Sequence, residues 1–243
     1  YDELLAAQLA WALVRARRRR QRGQPLAGTG RLTDALLRQL PWPLTGAQRH
    51  AVSEIAGDMA QPRAMLRLLQ GDVGAGKTLV ALMALLIAVE GGAQGAMLAP
   101  TDLLARQHLA TLPTLLGDLP VRLGFLSGRE KGRMREAVLA ALAAGDIDIL
   151  VGTHAIFSGS VQYRRLGLAV VDEQHRFGVA QRMMLAEKAD APPHLLVMTA
   201  TPIPRTLALA QFGEMDVSRL SERPPGRQPV DTRVTALNRR VLF

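Results

Sequence analysis

Gly71-Asp-Val-Gly-Ala-Gly-Lys77-Thr78 is the stretch on which the reading of this chain turns. It meets the phosphate-loop pattern G-x-x-x-x-G-K-[ST] at every fixed position. Its surroundings agree. Met65-Leu-Arg-Leu-Leu-Gln70 in front is a short apolar run of strand character. Leu79 to Val89 behind is almost wholly apolar and free of Gly and Pro, as a buried helix is. A strand–loop–helix junction aims backbone N–H groups and a helix N-terminus at one point, the arrangement a polyphosphate needs. Gly71, Asp72, Val73, Gly74, Ala75, Gly76, Lys77 and Thr78 are therefore candidate nucleotide contacts. In such a loop Lys77 reaches the β- and γ-phosphates and the Thr78 hydroxyl ligates Mg²⁺.

Outward from the loop, apolar runs of strand length alternate with helical stretches. The expected strands are Met65–Gln70, Ala96–Ala99, Val121–Leu126, Ile147–Val151, Leu168–Val171 and Leu195–Met198. The expected helices are Leu79–Val89, Leu103–Leu115, Arg129–Ala144 and Val179–Lys188, with a short one over Leu32–Leu40 that ends at Pro41-Trp-Pro43. Continuous apolar strands separated by helices predict an α/β fold with a mostly parallel central sheet covered on both faces. Ligands of such sheets gather at the C-terminal strand ends, where the loop lies. Residues 1–22 carry a helical pattern, Gly23 to Gly30 reads as a linker, and after Phe212 the pattern decays.

Bulk properties narrow the class. The chain has 243 residues, 48% hydrophobic, enough for one large domain or one domain with appendages. No segment reads as a membrane span, because the apolar helix after the loop is too short and runs into Gly91-Gly92. The chain opens on Tyr1 without a signal-peptide pattern and reads as a piece of a longer polypeptide. The absence of cysteine removes disulfides and thiolate metal sites, which suits a cytosolic protein. The five histidines make no H-x-x-x-H metal pair. Of the net charge of +9, six positive charges lie at Arg15, Arg17, Arg18, Arg19, Arg20 and Arg22. That cluster suits DNA phosphates, and equally a solvated helix end or acidic partners elsewhere in a parent protein. Aromatics are 4%, too few to stack single-stranded bases generously, which favours a duplex backbone as the nucleic-acid partner.

The second chemical feature is Leu168-Ala-Val-Val-Asp172-Glu173-Gln174-His175, a buried strand ending in two carboxylates. A phosphate-loop enzyme needs an acidic residue here to hold Mg²⁺, and Asp172 is placed for it. Glu173 is placed to orient or deprotonate an attacking water.

Asp-Glu-x-His after an apolar strand resembles the second signature motif of the superfamily 2 helicases and translocases. Other motifs of that first lobe follow in order. Leu44-Thr-Gly-Ala-Gln48 resembles the adenine-reading Q motif, and Ala99-Pro100-Thr101 with Gln107-His108 resembles motif Ia. Val151-Gly-Thr153-His154 resembles the next DNA-contacting motif, and Thr199-Ala-Thr201 resembles motif III. Asp172-Glu-Gln-His-Arg-Phe-Gly-Val179 and Thr199-Ala-Thr-Pro-Ile-Pro-Arg-Thr206 are similar to the RecG DNA helicases and to transcription-repair coupling translocases. Gln174, Pro224-Pro-Gly-Arg227 and Tyr1-Asp-Glu-Leu-Leu5 tilt toward the RecG side.

The resemblance implies a RecA-like P-loop NTPase domain with an N-terminal helical extension. It implies an ATP-dependent motor that remodels branched DNA in recombination and repair, in the bacterial cytoplasm at the nucleoid. Residues 1–40 would be an N-terminal helix and linker, 41–222 the ATP-binding lobe, and 223–243 a linker toward a second lobe that this chain lacks. Gln48 would bond adenine N6 and N7 and so select ATP, or else be an exposed residue at a helix start. Thr101, Thr153 and His154 would contact branched or double-stranded DNA backbone. Thr101 could equally cap a helix, and His154 could be a buried imidazole. Thr199 and Thr201 would bond the Asp172–His175 segment, with His175, and couple phosphate state to DNA grip. Cofactors would be ATP and Mg²⁺, and partners the second lobe and a wedge domain, with no membrane. A transcription-repair translocase and a nucleotide- or DNA-binding module that never hydrolyses remain the alternatives.

Overall fold

The computed structural model describes residues 23–172, 191–201 and 215–222. The helix expected over 1–22, that over Val179–Lys188 and the 223–243 linker lie outside the described residues. So do Glu173 and His175. In chain order the elements are α1 (Arg31–Gln39), α2 (Gly46–Met59), β1 (Leu66–Gly71), α3 (Lys77–Glu90), β2 (Gln94–Leu98) and α4 (Asp102–Leu116). There follow β3 (Leu123–Leu126), α5 (Gly132–Ala144), β4 (Ile149–Gly152), a 3₁₀ turn (His154–Phe157), β5 (Leu166–Asp172), β6 (His194–Thr199) and β7 (Asp216–Leu220).

The seven strands form one sheet in the order β3-β4-β2-β5-β6-β1-β7, and every pairing is parallel. The RecA-like α/β architecture is thus present. Side-chain alternation along each strand feeds two cores. Leu69, Met97, Val151, Val170 and Met198 pack with α1 to α4 on one face. Leu68, Leu98, Leu150, Val171 and Val197 pack with Leu142 of α5 and with Ile156 and Phe157 on the other.

Helix α3 is the innermost layer of the first face. Its ten consecutive residues Leu79 to Ala88 are all buried. A helix apolar all round has no solvent side to offer and must be enclosed. Each fully buried Leu contributes about 1.5–3 kcal/mol relative to exposure, so α3 is a large part of what anchors this face. Its last residue, Glu90, reaches back to cap α1, accepting from the N–H groups of Gly30 (2.8 Å) and Leu32.

The segment Gly23 to Gly30, read as a linker, is bound along the N-terminal edge of the sheet through its first residues. Leu26 is buried and its N–H donates to Met59 O at 2.7 Å. His194 at the start of β6 accepts from the Met65 N–H at Nδ1 (2.9 Å) and donates from Nε2 to Gln24 O (2.7 Å). That pattern is the neutral tautomer, and burial lowers its pKa.

Local side-chain bonds explain where element ends depart from expectation. Helix α5 begins at Gly132 rather than Arg129 because the chain before it is held in a turn. There Ser127 N–H donates to Glu130 Oε2 (2.7 Å) and Arg129 N–H to Ser127 Oγ (3.3 Å). Strand β3 starts at Leu123 rather than Val121, since the Arg122 N–H is taken by Asp148 Oδ2 at 2.8 Å.

Beyond the expected strands and helices the fold adds the 3₁₀ turn, helix α2 and strand β7. Helix α2, touched on only by the alternative reading of Gln48 as a helix start, opens with a capping box between Thr45 and Gln48. Strand β7, at the edge of the sheet, is clamped by Arg67 of β1. That guanidinium bonds Asp58 Oδ2 (3.0 Å from Nε, 2.8 Å from Nη2) and Ser218 Oγ (2.8 Å), with Glu54 at 3.2 Å.

Candidate functional site

Because all strands run the same way, every strand-end loop emerges on one edge. Strand β1 is followed in the chain by β2, yet β6 and β5 lie between them in the sheet. The connection through α3 therefore opens a crevice at the strand ends, the place where such sheets bind ligands. A cleft of about 690 Å³ occupies it, lined by Gly74, Gly76, Lys77, Thr78, Thr101 and Asp172 among others.

The loop 71–78 has the backbone geometry that a phosphate cradle needs. Gly74 and Gly76 have φ of 81° and 85°, a region that disfavours side chains. A Cβ on Gly76 would also stand 2.3 Å from Gln48 Nε2. Gly76 is the N-cap of α3 and provides no side-chain cap. Among the described residues no protein acceptor takes the N–H groups of Gly74, Gly76 or Thr78. Unpaired donors at the N-terminus of a buried helix, with an ammonium beside them, are the donor set a triphosphate requires. Lys77 Nζ meanwhile donates to its own loop, to Gly71 O at 2.6 Å and Asp72 O at 2.9 Å.

Gln48 is buried at 3% exposure and braces the loop from the side. Its Oε1 accepts from Thr45 N–H (2.9 Å), and its Nε2 donates to Ala75 O (2.9 Å). It begins a helix, as one reading had it, but from a buried position. One amide N–H and one oxygen lone pair remain for a base. The N-terminus of the same helix is held by Glu222, just past β7, which accepts from Gly46 N–H (2.8 Å) and Ala47 N–H (3.2 Å).

Asp172 ends β5 in register with Met198 of β6. Its Oδ2 lies 2.8 Å from Nε2 of His108, which α4 projects inward from a buried stripe of Ala105, His108, Leu112 and Leu116. One or two carboxylates together with substrate phosphates are the usual protein share of a Mg²⁺ site, and Asp172 across the cleft from Thr78 fits that share.

The remaining candidates sit on the same edge. Thr101 is exposed and caps α4, accepting from Leu104 N–H at 3.3 Å. Thr153 is buried, with its N–H on Leu126 O at 3.3 Å, and His154 is exposed at the start of the 3₁₀ turn. Gly152 before them is obligatory, since a Cβ there would be 1.8 Å from Leu126 O. Thr199 is buried and its hydroxyl accepts from the Thr201 N–H at 3.2 Å, while Gln70 Nε2 donates to Thr201 O at 3.3 Å. Beside Thr101, Arg106 bridges Asp102 (2.9 Å) and Glu130 (3.0 Å) and lies 4.8 Å over the Phe125 ring. Hydrogen bonding by Ser127, then by Arg106, lowers the Asp102 carboxyl pKa.

Fold and site together define the chain as a P-loop NTPase lobe of the RecA-like kind, with a helicase-type arrangement of strand-end loops. A family model described as DEAD/DEAH box helicase matches residues 45–210, and the chain belongs to that family. Within it, the likeness is to the first RecA-like lobe of RecG helicases. The ATP-dependent DNA helicase RecG of Escherichia coli O127:H6 is 48% identical over 99% of this chain and 35% of that protein. RecG of Bacillus subtilis strain 168 is 47% identical over 96% of this chain and 34% of that protein. A solved structure described as RecG bound to a three-way DNA junction superposes with a TM-score of 0.84 at 39% identity, covering 95% of this chain and 31% of that one. The chain thus spans about a third of the length of these relatives. Among the described residues no helix is long and apolar enough to cross a membrane.

Sequence reading did not give His108 its position against Asp172, nor Glu222 its cap on α2. The first had a signal, a lone histidine in the apolar stripe of α4. The second had none within reach, since residues 46 and 222 meet only in the fold.

Proposed function

We propose that this chain is the ATP-binding lobe of an ATP-dependent DNA motor that remodels branched DNA such as stalled forks and Holliday junctions. The observation that carries the proposal is the phosphate cradle and Asp172 facing one cleft at the strand ends. The likeness to a RecG structure described with a three-way DNA junction supports the choice of substrate.

In this reading Gly71 to Thr78 hold the triphosphate of ATP, with Lys77 released from Gly71 O and Asp72 O onto the phosphates. Thr78 and Asp172 hold Mg²⁺, which when bound neutralises phosphate charge. Glu173 orients the attacking water and accepts its proton on a carboxylate oxygen. Gln48 contacts the adenine with its remaining donor and acceptor. Thr101, Thr153 and His154 take DNA backbone phosphates, and His175, Thr199 and Thr201 relay between the two sites. A second RecA-like lobe closes the cleft and brings an arginine, an effect worth roughly 10³–10⁵ in rate in related hydrolases. A wedge domain splits the junction. The motor works in the cytoplasm at the nucleoid. Residues 1–40 and 223–243 lead to these other parts, with Leu26, Leu32 and Leu36 of the first segment packed into the core of the lobe itself.

The test is Glu173→Gln in the full-length protein containing this lobe, with DNA-stimulated phosphate release and nucleotide binding measured side by side. The expected result is retained ATP binding with turnover lost. Unchanged turnover removes Glu173 from catalysis, and no ATP binding by the unsubstituted protein removes the reading altogether.

A further inference from the structure

We propose that His108 is a positioning residue for the metal-binding carboxylate, fixing the orientation of Asp172 so that Oδ1 is presented to Mg²⁺. The inference rests on the reading of Asp172 as that carboxylate.

A carboxylate at the end of a strand can turn about two side-chain bonds, and a metal site loses affinity when its ligand samples several orientations. Here one oxygen is fixed. His108 Nε2–H donates to Asp172 Oδ2 at 2.8 Å, with the two side chains 11% and 15% exposed. Among the described residues no protein donor takes Oδ1. The imidazole is itself held, because His108 lies in the stripe Ala105, His108, Leu112, Leu116 that buries α4 against the lobe. The carboxylate plane is thereby set by a rigid donor, and the open oxygen belongs to the residue that lines the cleft with Lys77 and Thr78.

The same bond has a mechanical consequence. Helix α4 begins at the cap residue Thr101, which lines the same cleft. Thr101 and His108 are two helical turns apart, about 10 Å. A shift of α4 at its first turn is therefore carried straight to Asp172, by a route separate from Thr199 and Thr201. His108 falls within the segment that resembles motif Ia, but its ring faces the carboxylate.

The test is equilibrium binding of a fluorescent, non-hydrolysable ATP analogue to this chain across a Mg²⁺ titration, with thermal unfolding as the control for folding. His108→Leu keeps the apolar stripe and removes the donor. The Mg²⁺ midpoint is expected to rise about tenfold or more, the range seen when an outer hydrogen-bond partner of a metal ligand is lost. Affinity for the analogue without Mg²⁺ should stay within about twofold, since the phosphate cradle is untouched. His108→Gln, which restores an N–H at the reach of Nε2, should recover most of the midpoint. An unchanged midpoint in His108→Leu, or a glutamine variant no better than leucine, overturns the proposal. Asp172→Ala separates the two levels. If it shifts the midpoint while His108→Leu does not, only the role of His108 falls. If it does not, Asp172 is not the metal carboxylate and both readings fall.

Discussion

Replacing Gln48 with leucine separates the two roles its amide can play. The side chain is 3% exposed and joins two things that ought to move together, the start of α2 and the phosphate loop. Leucine fills a similar volume, so the cavity term is small and the cost lies in the hydrogen bonds. Thr45 N–H loses its acceptor and Ala75 O loses its donor. Leaving buried polar groups unsatisfied costs about 1–3 kcal/mol each, and greater apolar burial offsets part of it, giving a net loss near 2 kcal/mol. For a domain of this size that is a fall in Tm of about 4–8 °C, read by circular dichroism on the chain without nucleotide. Gln48→Glu dissects the pair, because the carboxylate keeps the acceptor for Thr45 but turns an acceptor toward Ala75 O. It should be at least as destabilising near neutral pH. Labelled ATP and GTP analogues then complete the assay. If Gln48 acts through the loop alone, leucine weakens both equally; if it also touches adenine, the ATP analogue suffers more. A Tm change below about 1 °C would refute the bracing role, since the two bonds would then be contributing almost nothing.

Other perturbations have equally definite outcomes. Arg67→Met leaves Asp58 and Glu54 without their shared cation. Those side chains are 19% and 30% exposed, so the cost should fall at the low end of about 3–5 kcal/mol, measured by urea unfolding. Glu222→Ala strips the carboxylate from the N-terminus of α2 and should cost about 1 kcal/mol, with a smaller loss in high salt; Glu222→Gln should lie between. For His194, burial puts the folded pKa below the ordinary 6.5, so the unfolded chain takes up the proton first. Its contribution is complete above about pH 6.5 and is lost as pH falls through the folded value. The urea midpoint should therefore drop more steeply between pH 7 and 5 in the parent chain than in His194→Gln.

The six strands expected from apolar runs are all present: those in the interior of the sheet are buried on both faces and carry their signal in composition alone, and the edge strand β3 keeps an apolar run in Leu123, Phe125 and Leu126. Strand β7, at the opposite edge, escaped because its sequence is polar. Asp216 and Arg219 are exposed, and Ser218 is buried as a polar partner of Arg67, so no apolar run survives. Helix α2 escaped for another reason: its capping box, Thr45 with Gln48, is also the segment that resembles a nucleotide motif, and the same residues serve both readings. The loop 71–78 and Asp172 could be placed at strand ends from the sequence because each signal lies in a few contiguous residues after an apolar run, one following β1 and the other closing β5. His108 and Glu222 were not, because their partners lie 64 and 176 residues away.

The enclosure of the middle of α3, from Leu79 to Ala88, bears on how such a lobe can carry a load. The ten residues from Leu79 to Ala88 touch core on every side, so the helix behind the phosphate loop has nowhere to slide. Close-packed interiors yield little under load. A load applied at the loop ahead of that helix is passed to the sheet and not absorbed as a local adjustment. In the motor proposed above, such a load would turn the lobe as one stiff piece, with compliance left to the surface loops.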